Sequence, residues 1–164
     1  MRPMHRILLG SVAAAMLVAP LASQRPDDQI HPRSVELMRQ GETLLGSGKF
    51  VEADDALEAS LAVDPRNRTA FVVMARVAQK QRLFGQAIRF TNKALALEPR
   101  DLDALAVQGE AMVELGAVAR AKVNLAKLQK LCVSGCPQVA TLNAVIARGP
   151  ALAAAKPPAI KKVN

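Results

Sequence analysis

Aromatic residues are nearly missing from this sequence, which has no Trp, no Tyr and four Phe among its 164 residues. A core without large rings must be built from Leu, Val, Ala and Met, and such side chains favour closely packed helices over a β-sandwich. The same shortage removes the aromatic platforms on which single-stranded nucleic acids stack. We therefore predict an all-α protein that binds no nucleic acid, although its formal net charge is +8.

Histidine and cysteine are equally scarce, with two of each. His5 lies near the start of the chain, so that His31 alone is left for the remaining sequence. A Ser-His-Asp or Cys-His centre needs a histidine beside its nucleophile, and a zinc site needs several ligands gathered in one place. We predict that the protein is not an enzyme and that it uses no metal ion or other cofactor.

The first 23 residues have the composition of a secretory signal. Basic residues precede an apolar stretch over 7–18, and small residues follow at Ala22 and Ser23. This stretch is shorter than the ~20 residues that a membrane-spanning helix needs. We predict a signal peptide over 1–23 that is cleaved after Ala22 or Ser23. The mature chain would then be periplasmic in a bacterium, without stable membrane insertion.

A spacing of 34 residues recurs three times along the middle of the chain. Each register holds one kind of residue: a small residue at Gly41, Ala75 and Gly109, an alanine at Ala53, Ala87 and Ala121, and a bulky apolar residue at Phe50, Phe84 and Val118. Within each unit, offsets of three and four residues place apolar side chains on one helix face. A period of this length predicts stacked helical hairpins.

Proline and a capping residue recur at the junctions between the units. The three junction sequences are Pro32-Arg33-Ser34, Pro65-Arg66-Asn67 and Pro99-Arg100-Asp101. Proline stops the preceding helix, and a Ser, Asn or Asp side chain accepts a hydrogen bond from the free amides of the next helix. The last residue of each junction is therefore predicted to be the N-cap of the first helix in its hairpin.

These residues resemble the tetratricopeptide repeat, a 34-residue motif with an aromatic residue, Leu-Gly, Tyr, Ala, Phe, Ala and Pro in fixed order. The resemblance covers about residues 34–135 and is strongest in the middle unit, with Ala75, Ala87, Ala94 and Pro99. The other units depart from the pattern at Gln40, Ser60, Gln108, Leu128 and Val133. The resemblance implies an α-solenoid of about three hairpins. Its first helices would line a concave groove that binds a peptide or a partner protein.

Two further segments complete the predicted organisation. An amphipathic stretch at 138–148 is expected to close the stack as a capping helix, with Val139, Leu142, Val145 and Ile146 on one side. The folded domain would thus span 34–148, after a flexible lead-in at 24–33. The residues at 149–164 are rich in Ala, Pro and Lys, and we expect them to form a disordered tail.

The resemblance also implies that the second, fifth, ninth, twelfth and thirteenth positions of each first helix face the groove. From this set we predict a partner-binding site in which Arg76, Gln79 and Lys80 contact an acidic segment. Glu110 and Glu114 would contact a basic segment. One subset of the family holds a C-terminal carboxylate with groove asparagines and lysines. Those asparagines are absent here, so that ligand is not carried over to this chain.

Cys132 and Cys136 are predicted to form a disulfide, because two nearby cysteines without competitors usually pair in an oxidising compartment. The bond would join the end of the third hairpin to the capping helix. The function that the sequence favours is a non-catalytic scaffold for a protein or peptide partner. Two alternatives stay open: a self-associating structural element of an envelope complex, and a redox accessory that uses the C-x3-C pair.

Overall fold

A computed structural model describes residues 29–150, and within that range it contains α-helices and no β-strand. The helices are α1 (Pro32–Gly46), α2 (Phe50–Val63), α3 (Arg68–Lys80), α4 (Phe84–Leu97), α5 (Leu102–Glu114), α6 (Val118–Leu131) and α7 (Pro137–Arg148). They pair as hairpins α1–α2, α3–α4 and α5–α6, and α7 packs on both α5 and α6. The predicted all-α solenoid with a capping helix is confirmed.

Several predictions about the two ends of the chain fall outside the described residues. These are the signal peptide over 1–23, most of the lead-in at 24–33 and the tail from 151 onward. None of the helices between residues 29 and 150 has the length and apolar character needed to cross a membrane.

The turns inside the three hairpins share one backbone geometry. Gly48, Arg82 and Gly116 occupy the same position of the repeat and have φ angles of 75°, 62° and 76°. The residue after each of them donates its amide to a carbonyl five residues earlier, namely Lys49 to Leu44 at 3.0 Å, Leu83 to Ala78 at 2.8 Å and Ala117 to Met112 at 2.8 Å. This is the Schellman motif, which ends a helix with one residue in the left-handed region.

Two of the three predicted N-caps are confirmed at the junctions between hairpins. The Asn67 Oδ1 atom accepts a hydrogen bond from the Ala70 amide at 3.2 Å, at the start of α3. The Asp101 Oδ1 atom accepts one from the Ala104 amide at 2.8 Å, at the start of α5. Each side chain satisfies an amide that has no partner within its helix.

The third predicted N-cap, Ser34, is wrong. Helix α1 begins three residues earlier than predicted, at Pro32 with His31 as its cap, since proline suits the first turn of a helix. Ser34 is buried inside the domain instead, and its hydroxyl lies 3.0 Å from that of Ser60. Asn67 donates to the Ser34 hydroxyl at 2.9 Å, so that a polar cluster joins the first hairpin to the second.

The small residues of the repeat let neighbouring helices approach closely. A β-carbon placed at Gly41 would lie 2.6 Å from Leu57 Cγ, so α2 packs directly on α1 as predicted. At Gly109 the approaching side chain comes from a different helix, because a β-carbon there would lie 2.7 Å from Leu142 Cδ2 of α7. Leu142 is fully buried. The capping helix therefore inserts into the third hairpin.

Polar side chains in the core explain another departure from the repeat pattern. Gln108 occupies a position where the family usually has Leu, and it is 6% exposed. It donates to Asn92 Oδ1 at 2.7 Å and accepts from Asn124 Nδ2 at 3.0 Å. Asn124 also donates to the Leu105 carbonyl at 3.1 Å. Among the described residues every buried side-chain nitrogen and oxygen has a hydrogen-bond partner.

Candidate functional site

The first helices of the hairpins and α7 form a continuous row, because α1 contacts α3, α3 contacts α5 and α5 contacts α7. The second helices α2 and α4 pack on the first helix of the next hairpin rather than on one another. The first helices thus lie closer together, on the inner side of the stack. We call the exposed surface of α3, α5 and α7 on this side the groove.

Asp103 connects the three helices of the groove. Its Oδ1 atom lies 3.2 Å from the Arg76 Nη2 atom of α3. The same oxygen accepts a hydrogen bond from the Gln138 Nε2 atom of α7 at 3.1 Å. The charge of Arg76 is therefore already paired within the protein.

Glu110 and Glu114 have similar contacts further along α5. The Gln79 Nε2 atom donates to the Val107 carbonyl at 3.0 Å and to Glu110 Oε2 at 3.4 Å. Burial raises the pKa of Glu110, while the hydrogen bond from Gln79 and the charges of Arg76 and Arg148 act in the opposite direction. Glu114 Oε1 pairs with Arg148 Nη2 of α7 at 3.4 Å.

The structure brings four of the five predicted site residues into one network of contacts between helices. The fifth, Lys80, is exposed, and no carboxylate in residues 29–150 lies within 4.0 Å of its ammonium group. The assignment of the acidic and basic contacts to a partner stays a prediction. A partner that binds Arg76, Glu110 or Glu114 has to compete with the contacts that these side chains already make within the protein.

Sequence reasoning missed two residues of the network, Gln138 and Arg148, because it treats α7 only as a cap. Each contacts a residue of α5 that lies about one repeat length earlier in the chain. Gln138 is 35 residues after Asp103, to which it donates, and Arg148 is 34 residues after Glu114, with which it pairs. Continuing the groove positions of the first helices into α7 would have found Arg148, at the thirteenth position, but not Gln138.

The two cysteines flank the loop between the last two helices. Cys132 is the C-cap of α6 and Cys136 is the N-cap of α7. Their Cα atoms are 5.9 Å apart and their sulfur atoms adjoin, a separation that suits a disulfide. His31 caps α1 in the first hairpin. Between residues 29 and 150, no three His, Cys, Asp or Glu side chains are grouped to hold a metal ion.

An open cavity of about 440 Å³ lies beside this loop. It runs between the end of α6 and the outer side of α7, and the residues lining it include Gln129, Cys132, Val139 and Asn143. The cavity is separate from the groove network, which uses Gln138 and Arg148 of α7. Its lining includes no Asp, Glu, Lys or Arg.

No protein-family model and no curated protein sequence matches this chain. Solved structures do match it. The first TPR of Spaghetti (RPAP3), bound to the HSP90 peptide SRMEEVD, is 22% identical with a TM-score of 0.65, over 71% of this chain and 94% of that chain. The TPR2B domain of yeast Sti1, in a pHsp70 complex, is 17% identical with a TM-score of 0.65, over 71% and 97%. TTC0263, a TPR protein of Thermus thermophilus, is 23% identical with a TM-score of 0.64, over 70% and 65%. This chain therefore has the fold of the tetratricopeptide-repeat domains.

Proposed function

We propose that this chain is a non-catalytic scaffold that binds a protein or peptide partner in the groove. The observation that carries the proposal is the set of contacts between α3, α5 and α7, which places cations and carboxylates side by side along one side of the stack. Two of the solved structures with this fold are complexes, one with an HSP90 peptide and one named as a pHsp70 complex. Both support a role in recognition.

The charges of the groove favour a partner segment that carries both signs. Lys80 offers an exposed cation on α3, whereas Glu110 and Glu114 place carboxylates on α5. The peptide SRMEEVD contains three acidic residues and one Arg. The carboxylates of α5 would repel the acidic end of such a peptide. The partner of this chain is therefore expected to place an acidic group near Lys80 and a basic group near Glu114.

Charge reversal on α3 tests the groove. We expect the variant Arg76→Glu/Lys80→Glu to lose the partner that the wild type captures by crosslinking in the periplasmic fraction, as identified by mass spectrometry. Lys80→Glu alone breaks no ion pair within residues 29–150, and it should also weaken capture. The matched control for Lys80→Glu is Lys49→Glu, which makes the same charge change in the α1–α2 turn. It should capture the partner as the wild type does. Undiminished capture by the folded double variant would remove the groove from the function.

We further propose that the chain is exported to the periplasm and that its cysteines are oxidised there. The basic start and the apolar stretch over 7–18 support export. The 5.9 Å Cα–Cα separation of Cys132 and Cys136 supports the disulfide. Mass spectrometry of the periplasmic protein should find an N-terminus after Ala22 or Ser23. A chain that stays in the cytoplasm with its first 23 residues attached would contradict export.

A further inference from the structure

The second helices of the hairpins carry charges of one sign each. Helix α2 has four acidic residues and no Lys or Arg, namely Glu52, Asp54, Asp55 and Glu58. Helix α6 has four basic residues and no Asp or Glu, namely Arg120, Lys122, Lys127 and Lys130. Helix α4 between them has only the cations Arg89 and Lys93. Protein surfaces usually intersperse the two signs, so this separation is unusual.

These charges are available to a partner, whereas Arg76 and Glu114 of the groove are paired within the protein. All four cations of α6 are exposed, and within residues 29–150 none has a carboxylate within 4.0 Å. On α2, the exposed carboxylates of Glu52, Asp55 and Glu58 have no cation within that distance in the same range. Asp54 differs, since it is half-buried and accepts a hydrogen bond from Gln81 at 3.3 Å.

The two helices match in more than charge. Asp55 and Glu58 are three residues apart on α2, and Lys127 and Lys130 are three residues apart on α6. Residues at this spacing are neighbours on one side of a helix. Each helix also exposes a valine four residues before these charges, Val51 at 71% and Val123 at 56%. A contact between the two surfaces would cover both valines while the opposite charges pair.

We propose that the acidic face of one copy (Glu52, Asp55 and Glu58 of α2) docks on the basic face of a second copy (Arg120, Lys127 and Lys130 of α6). The faces belong to the first and the third hairpin, so one molecule cannot join them itself. The contact is heterologous, and a third copy can add at either free end. This association leaves the groove open and is independent of the function proposed for it.

Sedimentation velocity of the purified chain tests the association directly. The wild type should sediment faster as its concentration rises to about 1 mM in about 50 mM salt, because contacts between exposed charges are weak. About 0.5 M salt should abolish this change, because the screening length then falls below the separation of most charge pairs. The variants Asp55→Lys/Glu58→Lys and Lys127→Glu/Lys130→Glu should each stay monomeric in low salt.

The combined variant, with all four charges reversed, supplies the decisive result. It restores opposite charges across the contact, and an equimolar mixture of the two double variants does the same between molecules. Both should associate at least tenfold more tightly than either double variant alone. The matched control Arg33→Glu/Arg39→Glu makes the same net charge change on α1 as Lys127→Glu/Lys130→Glu makes on α6, and it should associate like the wild type.

Two outcomes would overturn the proposal. One is a wild type that stays monomeric at every concentration, and the other is a combined variant that fails to associate although its circular dichroism shows a folded protein. Vesicles of anionic phospholipid should retain the wild type no better than the Lys127→Glu/Lys130→Glu variant. Retention of the wild type alone, without self-association, would assign the basic face to lipid instead.

Discussion

Arg82 is the one residue of the three hairpin turns that the backbone geometry does not suit. Its φ angle of 62° lies in the left-handed region, where the equivalent residues are Gly48 and Gly116. A β-carbon costs about 1 kcal/mol in this region. We expect Arg82→Gly to raise the free energy of unfolding by about 0.5–1 kcal/mol, measured by urea denaturation.

Two comparisons separate backbone strain from charge at this turn. Arg82→Ala removes the same charge and keeps the strain, so its stability should stay close to that of the wild type. Gly116→Ala introduces the strain at an equivalent turn and should lose about 1 kcal/mol. An Arg82→Gly variant no more stable than Arg82→Ala would show that the turn carries no strain that glycine relieves.

The contacts of Asp64 make the free energy of unfolding depend on pH. Its carboxylate accepts hydrogen bonds from the Arg66 side chain at 3.1 Å and from the His31 amide at 2.9 Å, and these lower its pKa from 3.8 to about 2. Because the pKa is lower in the folded state, the stabilisation is complete above about pH 4 and is lost as the pH falls through 2.

We therefore expect the urea midpoint to fall between about pH 5 and pH 2, and to fall less in Asp64→Asn. Asp55→Asn is the matched control, since it removes an exposed carboxylate and should keep the wild-type pH dependence. Parallel midpoint curves for Asp64→Asn and the wild type would contradict this role of Asp64.

The residues that sequence reasoning placed correctly are those whose role is local. Asn67 and Asp101 cap the helices that follow them, and the proline before each marks the junction. Ser34 depends instead on Ser60, 26 residues away, and on Asn67, 33 residues away. A hydrogen-bonding side chain near a proline looks like a cap in either case. Only the packing of α1 on α2 reveals that Ser34 faces inward.

At the scale of the helices, the insertion of α7 makes a prediction about the third hairpin. Leu142 fills the space that a β-carbon at Gly109 would occupy. Gly109→Ala should therefore destabilise the domain by about 1–3 kcal/mol, and Leu142→Ala by about 2–5 kcal/mol. The double variant should lose less than the sum, because the added methyl group fills part of the cavity left by Leu142.

Thermal and urea unfolding of the four proteins measure this coupling. Gly85→Ala is the control, since Gly85 lies in α4 with no neighbouring atom within 4 Å of the added β-carbon. It should gain about 0.5–1 kcal/mol through helix propensity. Additive losses in the double variant would mean that Gly109 and Leu142 do not act on each other.

The helices themselves could be predicted because the period of 34, the turns and the caps all agree. The exact position of α7 could not be predicted from the sequence. The junction before α7 spans five residues, 132–136, whereas the earlier junctions at 64–67 and 98–101 span four. The added residue shifts α7 relative to the register of the other first helices. The Gln138–Asp103 contact accordingly spans 35 residues, whereas the Arg148–Glu114 contact keeps the spacing of 34.

At the scale of the whole molecule, the stack has an inner side on which charges pair between helices and an outer side on which charges are separated by sign. The sequence predicts the repeat and the charged positions. It does not predict which charges pair, because Arg76–Asp103 and Glu114–Arg148 join residues from different units. Lys80 on the inner side and the exposed charges of α2 and α6 on the outer side have no ion pair within residues 29–150, so the two proposals concern opposite sides of the stack.

The proposed Cys132–Cys136 disulfide would help to close the stack. A disulfide around so short a loop contributes about 2 kcal/mol in the chain-entropy account. We expect maleimide to label no cysteine of the protein purified from the periplasm and to label two after reduction, as measured by mass spectrometry. Reduction should also speed amide hydrogen exchange in α7 more than in α1, since α1 lies in the first hairpin, away from the link.

Cysteine variants separate a structural disulfide from a redox accessory. If the disulfide is structural, the Cys136→Ser variant should form no mixed disulfide with another protein. The Cys132→Ser/Cys136→Ser variant should still capture the partner of the groove. A redox accessory would instead form mixed disulfides through Cys132 that reduction releases. Two free thiols in the native periplasmic protein would contradict the structural disulfide. Closure of the stack would then depend on Leu142 and the contacts of Gln138 and Arg148 alone.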